Sequence, residues 1–307
     1  MIPALTTFTM TSTTTLALRE KLNEDGFVIV PGLVTPSNFS HLKAACSDVV
    51  RRTREGSWSH RRTVGKQFPP YGDANPDSWG VQHVMHPELG QSSSIFAGWY
   101  TSQEVVDAVQ MLLGCEEQDL QMELFNLLIN PLEHDFALRW HRDDIPDNAT
   151  PEEEKYALDA WKAYGIQWNT ALYVDSCLFV VPGSHKIPRT PEQRRLSCVM
   201  DAPTNPLDMP GAVRLTLQPG ESVFYNSNIL HCAAYSSAST RATLHATMGT
   251  TAGGALRARN ILQHGLGWMK ERRFAETLDD RGKEMLGRLL KLYDSVPVDE
   301  VGYSLSG

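Results

Sequence analysis

The chain has 307 residues, enough for a large core in one domain or two, and its 41% hydrophobic and 21% charged residues are ordinary for a globular protein. A formal net charge of −8 argues against a general nucleic-acid or membrane-surface binder. The five cysteines form no CxxC pair, which disfavours a disulfide framework or a thiolate zinc site and favours a reducing, cytoplasmic compartment.

The N-terminal third has helical patterns. We expect a flexible, Thr-rich tail over residues 1–15, without the basic and apolar regions of a signal peptide. Residues 16–25 then predict a short helix, followed by a turn at Gly26 and the β-rich segment FVIV. No apolar run reaches membrane-spanning length, so we expect no membrane partner.

Two longer helices follow. Thr35 before Pro36 is a standard helix start and predicts an amphipathic helix over residues 35–55. A second helix is predicted over residues 103–114, where Gly114 ends it.

From about residue 120 the pattern changes to short, often alternating apolar runs separated by Pro, Gly, Asp and Asn, which predict strands. The runs cover residues 120–130, 136–140, 165–174, 178–183, 212–235 and 241–249. Charged residues 151–164 predict a helix between them, and residues 278–296 predict a final amphipathic helix. This order predicts a mainly β fold with flanking helices, a sandwich or jelly roll over about 118–250, within a single domain spanning 16–307.

The stretch LRWHRDDIP, residues 138–146, places a histidine two positions before an aspartate. Because residues i and i+2 of a strand point to the same side, His141 and Asp143 can converge on one ion. A neutral imidazole with a carboxylate is a ligand set suited to Fe(II). The alternative is a polar strand end, since short motifs of this kind are common.

A non-haem iron site of this type needs one more histidine and leaves coordination positions open. The candidate is His231, which ends an apolar strand after the turn QPGE. Further along, Arg241 opens the next strand pattern and could hold a carboxylate through a two-pronged contact. A 2-oxo-diacid co-substrate requires both a metal and a side chain that holds its second carboxylate. The alternatives are a core histidine and a surface salt bridge.

Further motifs occur in an order that one family shares. They are NEDGFVIVPGLV (23–34), LLIN (127–130), WHRDD (140–144), IQWNTAL (166–172), VVPGSHK (180–186) and LHCAAYSSASTRAT (230–243). VVPGSHK is the most specific of them. On these residues the chain resembles the phytanoyl-CoA 2-hydroxylase-like (PhyH) branch of the Fe(II)/2-oxoglutarate dioxygenases, from residue 23 to about residue 249.

The resemblance implies a double-stranded β-helix (jelly-roll, cupin-like) core. It assigns the catalytic metal triad to His141, Asp143 and His231. It also implies that Arg241 holds the far carboxylate of 2-oxoglutarate and that Trp168 borders this co-substrate.

Two departures from the family pattern leave the other 2-oxoglutarate donors open. Ala233 stands where a serine often helps to hold the co-substrate, and Leu138 stands where some relatives have a glutamine. The candidates for the missing donors are Gln167, Thr170, Asn126 and Gln82.

The resemblance further implies an oxidoreductase that uses Fe(II), 2-oxoglutarate and O2 to oxidise an unactivated C–H bond, releasing succinate and CO2. Because halogenating relatives replace the carboxylate with a small residue, Asp143 favours hydroxylation, desaturation or epoxidation. The expected substrate is a small organic molecule such as a secondary metabolite, or alternatively an acyl-CoA. Two other readings are a non-catalytic jelly-roll binding protein and a cupin-type metalloenzyme without 2-oxoglutarate. A homodimer is compatible with this size.

Two segments bear on the substrate. Residues 49–67 concentrate basic side chains, which favour an anionic substrate group or form a solvated helix end and loop. These side chains are Arg51, Arg52, Arg54, Arg61, Arg62 and Lys66. The apolar stretch from Met122 to Leu128 favours an apolar substrate.

Overall fold

Two antiparallel sheets form the centre of the computed structural model, which describes residues 12–67, 77–263 and 265–297, with only the backbone for residues 12 and 13. The larger sheet has the strand order β1 (Phe27–Val30), β9 (Ser222–Tyr225), β6 (Gly165–Ala171), β11 (Ala242–Thr250), β4 (Leu120–Ile129), β3 (Ser78–Val81) and β2 (Arg61–Thr63). The smaller sheet has the order β5 (Phe136–Ala137), β10 (His231–Tyr235), β7 (Leu178–Val180) and β8 (Val213–Arg214).

Helices surround these sheets. Their bounds are α1 (Ser12–Asp25), α2 (Pro36–Arg54), α3 (Gln91–Tyr100), α4 (Gln103–Leu113), α5 (Pro151–Ala160), α6 (Pro191–Ser197), α7 (Gly254–Leu262), α8 (Arg272–Ala275) and α9 (Asp280–Tyr293). The largest apolar core joins α2, α3, α4, α7 and α9 to the outer face of the larger sheet. Among the described residues, no helix is long and apolar enough to cross a membrane.

The strand alternation of the larger sheet separates two environments. In β6, Ile166 and Trp168 pack in the core under the helices, whereas Ala171 packs between the sheets against Leu178 and Val180. Side chains of a strand alternate between its faces. Every second residue of β6, β11 and the end of β4 therefore points into the sandwich interior.

The predicted fold class is confirmed: the sheets are antiparallel, with helices packed around them. The helices expected from Thr35 and up to Gly114 form as predicted, and Gly114 adopts a positive φ of 67°. The structure differs at the N-terminus, because α1 already begins at Ser12, so that residues 12–15 of the expected tail are helical. The rest of that tail lies outside the described residues.

Several boundaries were wrong or missed. The 136–140 run forms only the two residues of β5, and the 212–235 run divides into three strands. Strands β2 and β3 were not predicted, because Arg-rich residues 61–63 carry no apolar alternation. They extend the larger sheet by two strands.

The Thr35 cap gives a first test. Thr35 Oγ1 accepts a hydrogen bond from the Asn38 backbone N–H at 3.3 Å. Thr35→Ala should lower the free energy of unfolding by about 1 kcal/mol, because the Asn38 N–H loses its side-chain acceptor and keeps only the Thr35 carbonyl. Thr35→Ser should retain most of the stability. Urea denaturation measures both, and an equal loss in the two variants would contradict the capping role.

Candidate metal centre

Three side chains from separate parts of the chain converge at one edge of the sandwich interior. His141, Asp143 and His231 offer ligand atoms that all lie within 4.8 Å of one another. Asp143 Oδ1 lies 3.5 Å from His141 Nε2 and 3.7 Å from His231 Nε2. About a third of the Asp143 side chain is exposed, at 33%, so this group is reached from solvent.

The backbone holds the two histidines together. The His141 N–H donates to the His231 carbonyl at 2.9 Å, and the His231 N–H donates to the His141 carbonyl at 3.0 Å. The Asp143 N–H donates to the Ser227 carbonyl at 2.9 Å. The strand predicted over residues 136–140 thus ends early. The isolated bridge between His141 and His231 aligns the segment that follows it with the start of β10.

The two imidazole rings are oriented in the same way. His141 Nδ1 lies 2.8 Å from the Arg139 carbonyl, and His231 Nδ1 lies 2.9 Å from the Ile229 carbonyl. A carbonyl only accepts, so both contacts favour a proton on Nδ1, which leaves the lone pair of Nε2 free. This is the tautomer that a metal-binding histidine needs, with its second nitrogen fixed by a hydrogen bond.

The protonation states also suit a cation. Burial, followed by the neighbouring His141, lowers the pKa of His231 to about 4, so its imidazole is neutral near pH 7. Desolvation alone would raise the pKa of Asp143, but His231, His141 and a hydrogen bond from Gln167 hold it below its usual range. Two neutral imidazoles and one carboxylate are the donor set of non-haem Fe(II) sites, so the residues fit this metal.

Arg142, between the two candidate ligands in sequence, points the opposite way into a buried ion cluster. Its Nε lies 2.8 Å from Glu154, whose side chain is fully buried at 0% exposure. Arg189 and Arg194 bind the same carboxylate at 2.9 and 2.5 Å. We call Arg142, Glu154, Arg189 and Arg194 the Glu154 cluster.

The Glu154 cluster ties together the segments that carry the candidate ligands. Arg142 Nη1 donates to the Ser184 carbonyl at 2.7 Å and to the Asn228 carbonyl. Ser184 Oγ in turn accepts from the Leu230 N–H at 2.8 Å, next to His231. One guanidinium therefore fixes the loop before His231 as well as the His141–Asp143 segment.

Two of the four predicted donor candidates face the interior. Gln167 Nε2 donates to Asp143 Oδ2 at 2.5 Å, so in this structure it orients a candidate metal ligand. Asn126 accepts from the His83 N–H at 3.0 Å through Oδ1, and its buried Nδ2 has no hydrogen-bond partner.

The other two donor candidates and Trp168 have different surroundings. Thr170 lies on the helix-facing side of β6, where its hydroxyl pairs with Ser222 at 2.6 Å. Trp168, on the same side, stacks between Tyr100 and Phe224 and therefore does not border the sandwich interior. Gln82 follows β3 directly, and its backbone carbonyl accepts a hydrogen bond from the Trp58 indole at 3.1 Å. The alternation of β6 explains why Trp168 and Thr170 lie on this side.

Arg241 is buried in the interior and is not a surface residue. Its Nε donates to Asp175 Oδ2 at 2.9 Å, and Thr243 donates to the same oxygen. Its guanidinium lies 4.5 Å from the centre of the Tyr235 ring. The Arg241 Nη1 atom is buried without a hydrogen-bond partner, which leaves one donor free for a ligand.

A polar row lies beside the candidate ligands; the sequence had suggested Asn126 of this row as a donor but not Asn169. Asn126, His245 and Asn169 are aligned across β4, β11 and β6, and His245 Nδ1 lies 2.8 Å from Asn169 Oδ1. Gln67 binds the Arg139 N–H at 2.7 Å and lies 3.2 Å from His141 Nδ1. The polar residues at alternate positions of IQWNTAL were a signal for Asn169, whereas nothing local marked Gln67.

Comparison with known proteins places this geometry in a family. The sequence model of the family described as phytanoyl-CoA dioxygenase (PhyH) matches residues 22–243. No curated protein matches the chain significantly.

Several solved structures share the fold. AviO1 from Streptomyces viridochromogenes Tue57 superposes with a TM-score of 0.57 at 16% identity, over 79% of this chain and 98% of AviO1. EctD from S. alaskensis, solved with 2-oxoglutarate and 5-hydroxyectoine, gives 0.54 at 13% identity over 81% of each chain. SnoN, a non-haem α-ketoglutarate-dependent epimerase from nogalamycin biosynthesis, gives 0.52 at 20% identity over 78% of this chain and 82% of SnoN.

The Glu154 cluster gives a second test. Glu154→Gln should cost about 3–5 kcal/mol of stability, because three arginines lose a buried carboxylate. It should also weaken Mn(II) binding to the folded protein about tenfold or more, as losses behind metal ligands do. The control is Leu42→Ala, a buried residue of α2 whose loss costs about 2–5 kcal/mol without touching this region. Isothermal calorimetry below the unfolding temperature measures the affinity. An equal drop in Mn(II) affinity in both variants would contradict a role of the Glu154 cluster in positioning the metal ligands.

The two faces of β6 give a third test. Trp168→Phe should lower the free energy of unfolding by about 1–3 kcal/mol, because a fully buried indole loses volume, and should leave 2-oxoglutarate affinity unchanged. Gln167→Leu should do the reverse: a small stability change and weaker Mn(II) binding, because Asp143 loses its amide donor. Denaturation and calorimetry on both variants check this. A Trp168→Phe protein that is stable but binds 2-oxoglutarate poorly would show that the face assignment is wrong.

Proposed function

The chain belongs to the phytanoyl-CoA dioxygenase family, and on this premise we propose that it oxidises an unactivated C–H bond of a small organic molecule. Membership makes it an oxidoreductase of the Fe(II)/2-oxoglutarate-dependent class. The reaction converts substrate, 2-oxoglutarate and O2 into oxidised substrate, succinate and CO2. One oxygen atom enters succinate, and the other enters the substrate or, in a desaturation, leaves as water. Hydroxylation, desaturation and epoxidation all fit, since Asp143 retains the carboxylate that halogenating relatives lack.

The convergence of two imidazole Nε2 atoms and one carboxylate oxygen carries this proposal. His141, Asp143 and His231 would hold Fe(II) on one face and leave the opposite positions open to ligands. When bound, the iron supplies oxygen activation driven by decarboxylation of 2-oxoglutarate. The chain supplies the orientation: Gln167 fixes Asp143, and the Arg139 and Ile229 carbonyls fix the two rings.

Two buried donors support a 2-oxoglutarate site. Arg241 Nη1 and Asn126 Nδ2 face the interior without partners, and an unpaired buried donor costs free energy unless a ligand satisfies it. We assign the far carboxylate of 2-oxoglutarate to Arg241, whose planar fork matches a carboxylate. Asn126 could donate to the same co-substrate, whereas Gln167 already uses its amide on Asp143.

For the substrate we propose an uncharged, partly aromatic secondary metabolite. Trp79, Phe136 and Tyr235 form an aromatic cluster between the sheets, with ring centres 5.3–6.2 Å apart. SnoN, which shares the fold, acts in nogalamycin biosynthesis, which supports this substrate class. The apolar stretch from Met122 to Leu128 does not support it, because Met122, Phe125 and Leu127 pack under the helices.

An acyl-CoA substrate has less support. Arg51 pairs with Asp48 and Glu55 at 2.9 and 2.6 Å, and Arg52 pairs with Asp48 at 3.0 Å. These helix-surface cations are therefore already neutralised by acids of α2 and its C-terminus. A CoA phosphate would have to displace them.

The test of the proposed function is the release of succinate. Metal-free protein loaded with Fe(II) should convert 2-oxoglutarate to succinate in air, slowly even without primary substrate. His141→Ala and His231→Ala should reduce this turnover to background. His185→Ala is the matched control. The His185 ring lies 3.1 Å from the Asn23 carbonyl and does not contact the candidate ligands. The proposal would be contradicted by wild-type protein that is folded and binds Fe(II) but forms no succinate.

A further inference from the structure

One basic side chain of residues 49–67 turns into the sandwich interior. Arg62 of β2 is in register with Gly80 of β3, and Gly80 is in register with Leu128 of β4. Leu128 packs against Ala233 and Tyr235 of the smaller sheet, so this row faces the interior. The neighbouring Arg61 is in register with Val81, which packs under the helices.

The Arg62 side chain packs over Gly80, which has no side chain of its own. A Cβ atom at position 80 would lie 3.1 Å from Arg62 Cδ, 3.3 Å from its Cβ and 3.4 Å from its Cγ. The aliphatic arm therefore lies across β3 where no side chain intervenes. It brings the guanidinium carbon to 5.1 Å from the centre of the Trp79 ring, within cation–π range.

The charge of Arg62 has no acidic partner among the described residues. Its Nε is buried without a hydrogen-bond partner, and no ion pair of the described chain includes it. Two interior acids are engaged elsewhere: Asp175 by Arg241 and Thr243, and Asp143 by Gln167 beside the two histidines. A partly buried cation without an anion is costly unless a ligand supplies one.

Arg62 acts on two groups of the sandwich interior, His245 and Tyr235. Burial, and then the charge of Arg62, lowers the pKa of His245 to about 3, and Arg241 and Asp143 act on the same ring. Burial raises the pKa of Tyr235, and the cations Arg241 and Arg62 oppose that rise. Arg62 and Arg241 therefore share one interior space.

The charges of this space balance only with Arg62 included. Arg241 and Asp175 already form a neutral pair, and a divalent metal with Asp143 carries one net positive charge. Bound 2-oxoglutarate brings two negative charges, which would leave one uncompensated. Arg62 supplies the missing positive charge.

We propose that Arg62 is a second anchor for the far carboxylate of 2-oxoglutarate, which it shares with Arg241. This inference rests on the proposed function and adds a binding residue from an edge strand that carries no family motif. It also means that the one basic side chain of residues 49–67 that enters the interior serves the co-substrate, which agrees with an uncharged primary substrate.

The test compares two 2-oxo acids under anaerobic conditions, using the visible charge-transfer band of the Fe(II) chelate. 2-Oxoglutarate has the far carboxylate, whereas 2-oxobutyrate chelates metal through the same atoms but lacks it. Arg62→Gln should raise the apparent Kd for 2-oxoglutarate at least about tenfold and leave that for 2-oxobutyrate unchanged, because only a charge-assisted bond to the far carboxylate is lost. Arg61→Gln, on the other face of the same strand, should change neither.

Two further variants guard against a folding defect. Arg62→Lys keeps the charge and should recover part of the affinity. Gly80→Val should weaken 2-oxoglutarate selectively, because its side chain meets the Arg62 arm.

The remaining outcomes are distinct. If Arg62→Gln weakens both acids equally, or neither, Arg62 is not an anchor for this carboxylate, although the proposed function stands. If the wild type forms no chelate with either acid, the proposed function fails and the inference falls with it.

Discussion

The paired backbone hydrogen bonds between His141 and His231 are the constraint on which the rest of this structure depends. They join a segment that has left the smaller sheet to the first residue of β10. Each ring then folds back so that Nδ1 meets the carbonyl two residues earlier, and both Nε2 atoms face Asp143. Arg142, between the two ligands in sequence, points the opposite way into the buried Glu154 cluster, which fixes it. One local register therefore sets the ligand geometry and its support.

The sandwich interior is polar where the interior of a simple β-sandwich would be apolar. The row Asn126, His245 and Asn169 crosses three adjacent strands, and the buried pair Arg241 and Asp175 lies close by. Burying such groups is unfavourable unless hydrogen bonds satisfy them. Most of these groups are satisfied, and the donors that are not, on Asn126 and Arg241, face the space beside the candidate metal ligands. Two unsatisfied buried donors thus lie where a dicarboxylate would bind.

The sequence predicted those site residues that belong to ordered motifs. It did not predict contacts that depend on strand register or on residues distant in the chain. Ordered motifs identified the family and brought His141, Asp143, His231 and Arg241 together as candidates. The same motif comparison could not show that Trp168 packs under the helices, because a one-residue change along a strand exchanges its two faces. Arg62 looked like part of a solvated basic segment, since its inward path depends on Gly80 in another strand. The Arg142–Glu154 contact likewise depends on packing of α5 that no sequence period reveals.

The central claim is that one divalent metal binds to two imidazoles and one carboxylate at this edge of the sandwich. X-ray absorption spectroscopy of the Fe(II)-loaded protein tests it most directly, with His231→Ala measured alongside. The account predicts a first shell of nitrogen and oxygen only, with outer-shell scattering from two imidazoles that falls to one imidazole in the variant. Sulfur in the first shell, or imidazole scattering unchanged by His231→Ala, would contradict it.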